Sequence, residues 1–421
     1  MENDINKLKI YLQKLIDGED LNLVSEDFNR AFKSLEYDTL AQAQNLLLEE
    51  GLTVEEIQRA NELHTDLVVE RLDSSAKMQV DGLEAGHPLK VFMGENQGIR
   101  DFIKERLLPD LASYMEEKTE AKRLNLSHCA KELSNIFKHY DRKENLLFPY
   151  LEMADILAPP KVMWGVDDII RQLIKLFGKS IDTPPYDFKR VQMIADRLLP
   201  QIESMIVKEN EILFPMLLSH MTDEDWLLVA KESKQIGYVF NKGIEGASNS
   251  DSEFWIEQKE APTNLIKEAV DKPGVDKDKD KDKDKDKDKD KDLVVLPSGN
   301  LTIKELTAML NTLPTDLTFT DANDVVRYYT EGKNQVFART RTIIGRDLYM
   351  CHPPALVPTI KKLIQELRDG VKDQELVVSR RGDRIDLIRY MAVRDENNEF
   401  VGVVEVTEEM SDILRLIEES K

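Results

Sequence analysis

The phrase KENLLFP at 143–149 returns almost unchanged as KENEILFP at 208–215. Aligned on their shared Leu-Phe-Pro, the copies set His139 and Lys143 in the first against Met205 and Glu209 in the second. Side chains four apart lie on one helix face, so each copy aims two of them at a common interior. His139 and Glu209 offer an imidazole and a carboxylate, the donor types of an iron site, and Glu144 adds a neighbouring carboxylate. Lys143 brings an ammonium, which would repel a metal cation. A near-copy at such a distance points to one structural unit used twice.

Four helical patterns between residues 84 and 235 would position these groups. They run through IRDFIKERLLPDLASYMEE, CAKELSNIFKHY, DDIIRQLIKLF and VQMIADRLLPQIESMI. Breakers at Ala158-Pro159-Pro160 and Thr183-Pro184-Pro185 separate the later ones. Four helices on short links predict an antiparallel bundle.

In these residues the chain resembles the hemerythrin-like (HHE cation-binding) family, four-helix bundles that hold two iron ions between His and carboxylate side chains. The resemblance implies a His-x-x-x-Glu pattern before Leu-Phe-Pro on the even-numbered helices. It implies a His before an Ile-Arg pair on the odd-numbered ones, where this chain has Asn96-Gln97-Gly98-Ile99-Arg100 and Asp167-Asp168-Ile169-Ile170-Arg171. The six implied ligand positions therefore hold Asn96, His139, Lys143, Asp167, Met205 and Glu209. Only His139, Asp167 and Glu209 are ordinary iron ligands. If Lys143 points inward beside Asp167 and Glu209, its charge replaces that of a lost metal. Three states stay open: a metal-free polar core, iron at a partial site, and an intact two-metal site.

The other histidines are expected to be structural or at the surface. His128 lies eleven residues before His139, three helical turns or about 16 Å along one face, and both could line one interior. His64, His87 and His128 form an alternative set for a metal or for haem. His220, ahead of a helix capped by Thr222 and Asp225, reads as surface.

The chain has 421 residues, enough for two or three domains, and a net charge of −22. No basic cluster stands free of acids, which argues against nucleic acid and against an anionic membrane surface as partners. The two cysteines, Cys129 and Cys351, form no C-x-x-C. The start of the chain lacks the apolar core of a signal peptide and no apolar run reaches membrane-spanning length, so a cytoplasmic protein is expected.

Residues 1–72 read as short amphipathic helices, with Gly51 and a Thr53/Glu56 capping box at one junction. Residues 236–292 lose hydrophobic periodicity and end in a strict Asp-Lys alternation, read as a solvated, disordered spacer. Residues 293–421 predict two strands around Asn323-Asp324, a helix closed by Gly370, and three strands with turns at Gly382-Asp383 and Glu396-Asn397-Asn398. The predicted class is thus multidomain: an all-α N-terminal half of a helical module (1–72) and a bundle (84–235), then an α+β domain with a five-stranded antiparallel sheet.

The segments EEGLTVEEIQRANELH, GHPLKVFMGENQGIR, HYDRKENLLFPYLE and PPKVMWGVDDIIR follow in the order found in bacterial proteins that join a module of unknown function, a hemerythrin-like bundle and a PAS domain. One departure is Asn61-Glu62, where those proteins would place Cys-Asp before the module's His. NTLPTDLTFTDANDVVRYYT, IIGRDLYMCHPP and GVVEVTEEM resemble a PAS domain, which implies a small-ligand pocket and frequent dimerisation. There His352 would be an axial haem ligand and Cys351 a redox partner, although His-Pro also commonly opens a helix.

These features lead to a non-enzymatic sensor or adaptor in redox, oxygen or metal signalling, acting through an unknown protein partner and a PAS-mediated homodimer. Its cofactor would be iron at a partial site, haem, or none. The alternatives are an iron/oxygen-binding hemerythrin-like protein and a metal-dependent oxidase or repair factor. Neither a Gly-rich phosphate loop nor a nucleophile elbow nor H-E-x-x-H occurs, which counts against the enzyme.

Overall fold

A computed structural model describes the chain except for residues 1, 73, 241–251, 261–292, 297, 334, 338, 382, 383, 420 and 421; at 2, 3, 21, 22, 61–67, 74–77, 381, 417 and 418 it describes the backbone only. The Asp-Lys spacer and the expected Gly382-Asp383 turn lie outside the described residues. Two compact units result, the first Met1–Pro262 with Pro353–Ala355 and the second Thr263–His352 with Leu356–Lys421.

The first unit opens with α1 (Glu2–Ile16), α2 (Leu21–Ala31), α3 (Tyr37–Glu49), α4 (Val54–Val69) and α5 (Ser74–Asp81). Leu8, Leu12, Phe28, Phe32, Leu47 and Ile57 close the core of this module. The expected junction is present: the Thr53 and Glu56 side chains cap α4 reciprocally.

The bundle follows as α6 (Pro88–Phe102) and α7 (Leu108–Glu117), then α8 (Glu120–Leu133), α9 (Ile136–Arg142) and α10 (Phe148–Met153), then α11 (Ala158–Asp182), and then α12 (Phe188–Lys208) and α13 (Phe214–His220). Helix α14 (Asp223–Ile236) packs back on α6 and α9. The N-terminal module is built onto this bundle. Asn45 accepts from the Leu157 and Ala158 amides at 3.1 and 2.7 Å, so a residue of α3 caps α11. Gln58 donates to the Val162 carbonyl at 2.9 Å, and Gly165 leaves it room, since a Cβ there would lie 2.1 Å from the Gln58 amide nitrogen.

Three π-turns, Ile103–Leu107, Lys143–Leu147 and Glu209–Leu213, join α6 to α7, α9 to α10 and α12 to α13. In each, the following N–H bonds five residues back, and the next residue is a proline: Pro109, Pro149 or Pro215. Proline has no N–H and its ring collides with the carbonyl four residues earlier; a widened turn accommodates both demands. The repeated phrase therefore writes a π-turn, and its first residue is Lys143 in one copy and Glu209 in the other.

The linker expected at 236–292 starts too early. Gly237, at φ +94°, ends α14, and the chain then crosses α6 at Gly98, where a Cβ would lie 1.5 Å from the Phe240 carbonyl oxygen. Residues 252–260 are helical and send Trp255 and Ile256 into the bundle core. Few apolar residues do this packing, so no periodicity announced it.

The second unit begins with a hairpin of β1 (Leu293–Leu296) and β2 (Gly299–Thr302), followed by the helix Ile303–Thr312. Strands β3 (Asp316–Asp321), β4 (Val326–Tyr329), β5 (Gln374–Arg381), β6 (Arg384–Arg394) and β7 (Phe400–Glu409) form an antiparallel sheet ordered β4-β3-β7-β6-β5. The helix Val357–Arg368 lays Ile360, Leu363, Ile364 and Leu367 on Ile388, Tyr390 and Val403. No helix among the described residues is long and apolar enough to cross a membrane.

Candidate functional site

Inside the bundle, charged side chains from α6, α9, α11 and the two repeated π-turns meet with no solvent exposure. The Lys143 ammonium lies 2.8 Å from Asp167 Oδ1 and 2.5 Å from Glu209 Oε1. His139 Nε2 faces Glu209 Oε2 at 3.0 Å, and its Nδ1 faces Glu95 Oε2 at 2.7 Å. Asn96 donates to Glu209 Oε2 at 2.8 Å and to Asn210 at 3.0 Å. Glu95 Oε1 accepts from Arg142 at 2.6 Å and from the Val239 amide at 2.8 Å. Glu95, Asn96, His139, Lys143, Asp167 and Glu209 are all fully buried.

Burial makes this cluster depend on pairing. Burial opposes charge on Glu209, yet Lys143 and His139 outweigh it and hold the carboxyl down at about 2. It also disfavours the His139 imidazolium, but Glu209 and Glu95 on either side prevail and raise its pKa. The same contest raises Lys143, through Asp167 and Glu209, and lowers Glu95, through Arg142 and His139. Both ring nitrogens of His139 face carboxylate oxygens, so the ring donates at both and is the imidazolium. Burial, with the Glu209 charge beside it, lifts Asp167 despite Lys143 and Arg171; its Oδ2 has no hydrogen-bond partner among the described residues. Three acids, Glu95, Asp167 and Glu209, thus face three cations, His139, Arg142 and Lys143.

Aromatic rings seal the cluster. Arg142 lies between Phe92 and Tyr238, 4.3 and 4.7 Å from their centroids, and Lys143 stands 4.4 Å from that of Tyr140. A second charged layer lies beside it, where Arg171 grips Glu144 with two bonds, 2.7 and 2.9 Å, and Asp141 with a third of 2.8 Å. Glu144 therefore belongs to Arg171, and burial pushes its pKa well up.

The residues present do not fit a two-iron centre. The ammonium already occupies the space between two carboxylates that a cation would bridge, and Met205, at another implied ligand position, is buried and apolar. Among the described residues no group of three or more His, Cys, Asp or Glu is arranged to hold a metal ion.

The remaining candidates lie elsewhere. His128 is 74% exposed: a turn at Ser134-Asn135 separates α8 from α9, so the eleven-residue spacing does not keep its phase and the two histidines do not line one interior. His87 caps α6, accepting from the Leu89 amide at 3.2 Å, and sits between Trp226 and Trp255. Burial and Lys259 hold its pKa down at about 4, so it is neutral. His220 is half-buried against Asp38 at 3.0 Å rather than free at the surface. The side chain of His64 lies outside the described residues. His352 bonds the Leu348 carbonyl through Nδ1 at 2.9 Å, ahead of the 3₁₀ turn Pro354–Leu356, and Cys351 is partly buried next to it.

Glu95, Arg142 and the Val239 amide were not anticipated. Glu95 adjoins the position aligned with a ligand, and a charged residue among Phe92, Asn96, Ile99 and Phe102, all buried on α6, was its available signal.

Comparison with known proteins agrees with this anatomy. Residues 8–74 match a family of unknown function (DUF438), residues 87–217 the hemerythrin HHE cation binding domain, and residues 306–411 a PAS domain. No curated protein matches the chain. Among solved structures, the C-terminal domain of a protein from Streptococcus mutans is 29% identical, with 30% of this chain and 96% of that one covered and a TM-score of 0.28. A PAS domain from Colwellia psychrerythraea is 13% identical, with 26% and 98% covered and a TM-score of 0.22. A sensory box sensor histidine kinase from Vibrio cholerae is 12% identical, with 25% and 88% covered and a TM-score of 0.20. The chain is therefore a three-part protein: a module of unknown function, a hemerythrin HHE domain and a C-terminal PAS domain.

Proposed function

We propose that this chain is a cytoplasmic sensory or adaptor protein, not an enzyme, whose bundle keeps the hemerythrin shape while Lys143 supplies the positive charge that metal would bring. Its support is the Lys143 ammonium, held between Asp167 and Glu209 with no access to water. A core already neutral through its own side chains has no charge deficit for an iron pair to fill. The PAS domain takes the sensing role in redox, oxygen or metal signalling, and output passes by contact with a protein partner or through a PAS homodimer. The half-buried Cys351 and His352 are the thiol and imidazole of that domain.

Elemental analysis of the full chain, purified from iron-replete cells, tests the bundle's part. The expected result is substoichiometric iron and no charge-transfer absorption. Two irons per chain, lost on His139→Ala or Glu209→Gln, would overturn it and favour an iron- or oxygen-binding protein.

A further inference from the structure

We propose that β5 is a self-pairing edge, on which a second copy of this chain lays its own β5 antiparallel. This deepens the homodimer suggested above and rests on that part of the reading alone.

Strand β5 ends the sheet order and, among the described residues, pairs on one side only, with β6. Its sequence, QELVVSRR, has no proline, and its charged residues, Glu375, Arg380 and Arg381, stand toward the two ends and leave the centre apolar. Leu376, Val377 and Val378, at its middle, are 48%, 41% and 60% exposed. The opposite edge, β4, has four residues, and its pairing with β3 slips at Phe319/Thr320. Of the two edges of this sheet, among the described residues, β5 is the longer and more regular and has the apolar centre.

Symmetry selects the register. A two-fold axis that sets β5 antiparallel to itself is perpendicular to the sheet, so each residue meets one that points to the same face. Centred on Val377, the pairing sets Val377 against Val377 and, twice, Leu376 against Val378. Centred on Val378, it would set Leu376 against Arg380 and Val377 against Ser379. Apolar cross-strand pairs favour the first.

Both faces gain from it. Val377 lies opposite Ile388, on the core face, while Leu376 and Val378 lie opposite Arg389 and Leu387 on the other. The ends agree as well: Asp373 precedes the strand, beside Glu375 that Lys372 already bonds, and Arg380 stands near its finish, so the antiparallel arrangement brings Asp373 toward the partner's basic end.

Residues facing each other across such an axis have Cα atoms about 4.5–5.5 Å apart, within disulfide reach. The experiment is sedimentation of the full chain together with oxidation of Val377→Cys and, as control, Ser379→Cys. The expected result is a species of twice 48.5 kDa, captured covalently by Val377→Cys and not by Ser379→Cys, and reduced to monomer by Val377→Lys. A dimer that survives Val377→Lys and is not captured would refute this surface while keeping the homodimer. A monomeric wild-type chain would refute both. Open-ended association beyond the dimer would also overturn it, because the two-fold pairing closes.

Discussion

The bundle core and the β5 edge leave opposite demands on their surroundings. In the core, Glu95, Asp167 and Glu209 have been taken out of water and matched with Arg142, His139 and Lys143, so every added or removed charge is felt at once. Along β5, Leu376, Val377 and Val378 are exposed and the outward edge pairs with no strand among the described residues, so substitution there is tolerated by the fold. The difference separates residues whose charges are closed within the fold from residues that the fold leaves open. In this chain the hemerythrin-like part, where ligand chemistry would be sought first, is the closed one.

The contrast is broken most forcefully at Lys143. Lys143→Ala leaves two buried carboxylates without their cation and should cost about 3–5 kcal/mol, read as a lowered urea midpoint. Glu95→Gln comes next: it weakens the hold on His139, Arg142 and the Val239 amide together, for about 2–3 kcal/mol, with faster amide exchange at 237–240. Gly98→Ala reaches the same segment without touching a charge. Its methyl must displace the Phe240 carbonyl, at about 1–3 kcal/mol, and exchange should rise at 237–240 while the far end of the bundle is unchanged. Val377→Lys should alter stability by less than about 0.5 kcal/mol, and so serves as the counterpart at the open edge.

Acidity sharpens the same contrast. Glu209 has a folded value near 2 against an ordinary 4.5, so its contribution is present above pH 4.5 and is lost as pH falls toward 2. His139 is raised above its ordinary 6.5, so its contribution is complete below pH 6.5 and is lost as pH rises through the folded value. In urea midpoints, the acid loss attributable to Glu209 should be missing in Glu209→Gln. In His139→Gln the alkaline fall attributable to this ring should disappear.

Much of this was legible in residue order. Alternating apolar residues and turn signals marked β3 to β7, and the repeated Leu-Phe-Pro brought His139, Lys143 and Glu209 into one frame, to which the hemerythrin-like resemblance added Asn96 and Asp167. Three kinds of information were missing. Counting by 3.6 fails where a helix is interrupted, so His128 was given the face of His139 across the Ser134-Asn135 turn. Contacts between distant segments leave no periodic trace, so the bond from Val239 to Glu95 was invisible and residues 237–240 were read as spacer. Glu144 shows a third limit: its spacing suits the core, but Arg171 takes it.

Cobalt titration of the wild-type chain and Lys143→Ala, followed by visible absorption, tests most directly whether Lys143 is the cation of the core. The wild-type chain should give no ligand-field bands, whereas Lys143→Ala should take up one Co²⁺ between Asp167, Glu209 and His139 and lose it again on Glu209→Gln. Stoichiometric bands from the wild-type chain, unchanged in Lys143→Ala, would contradict the account.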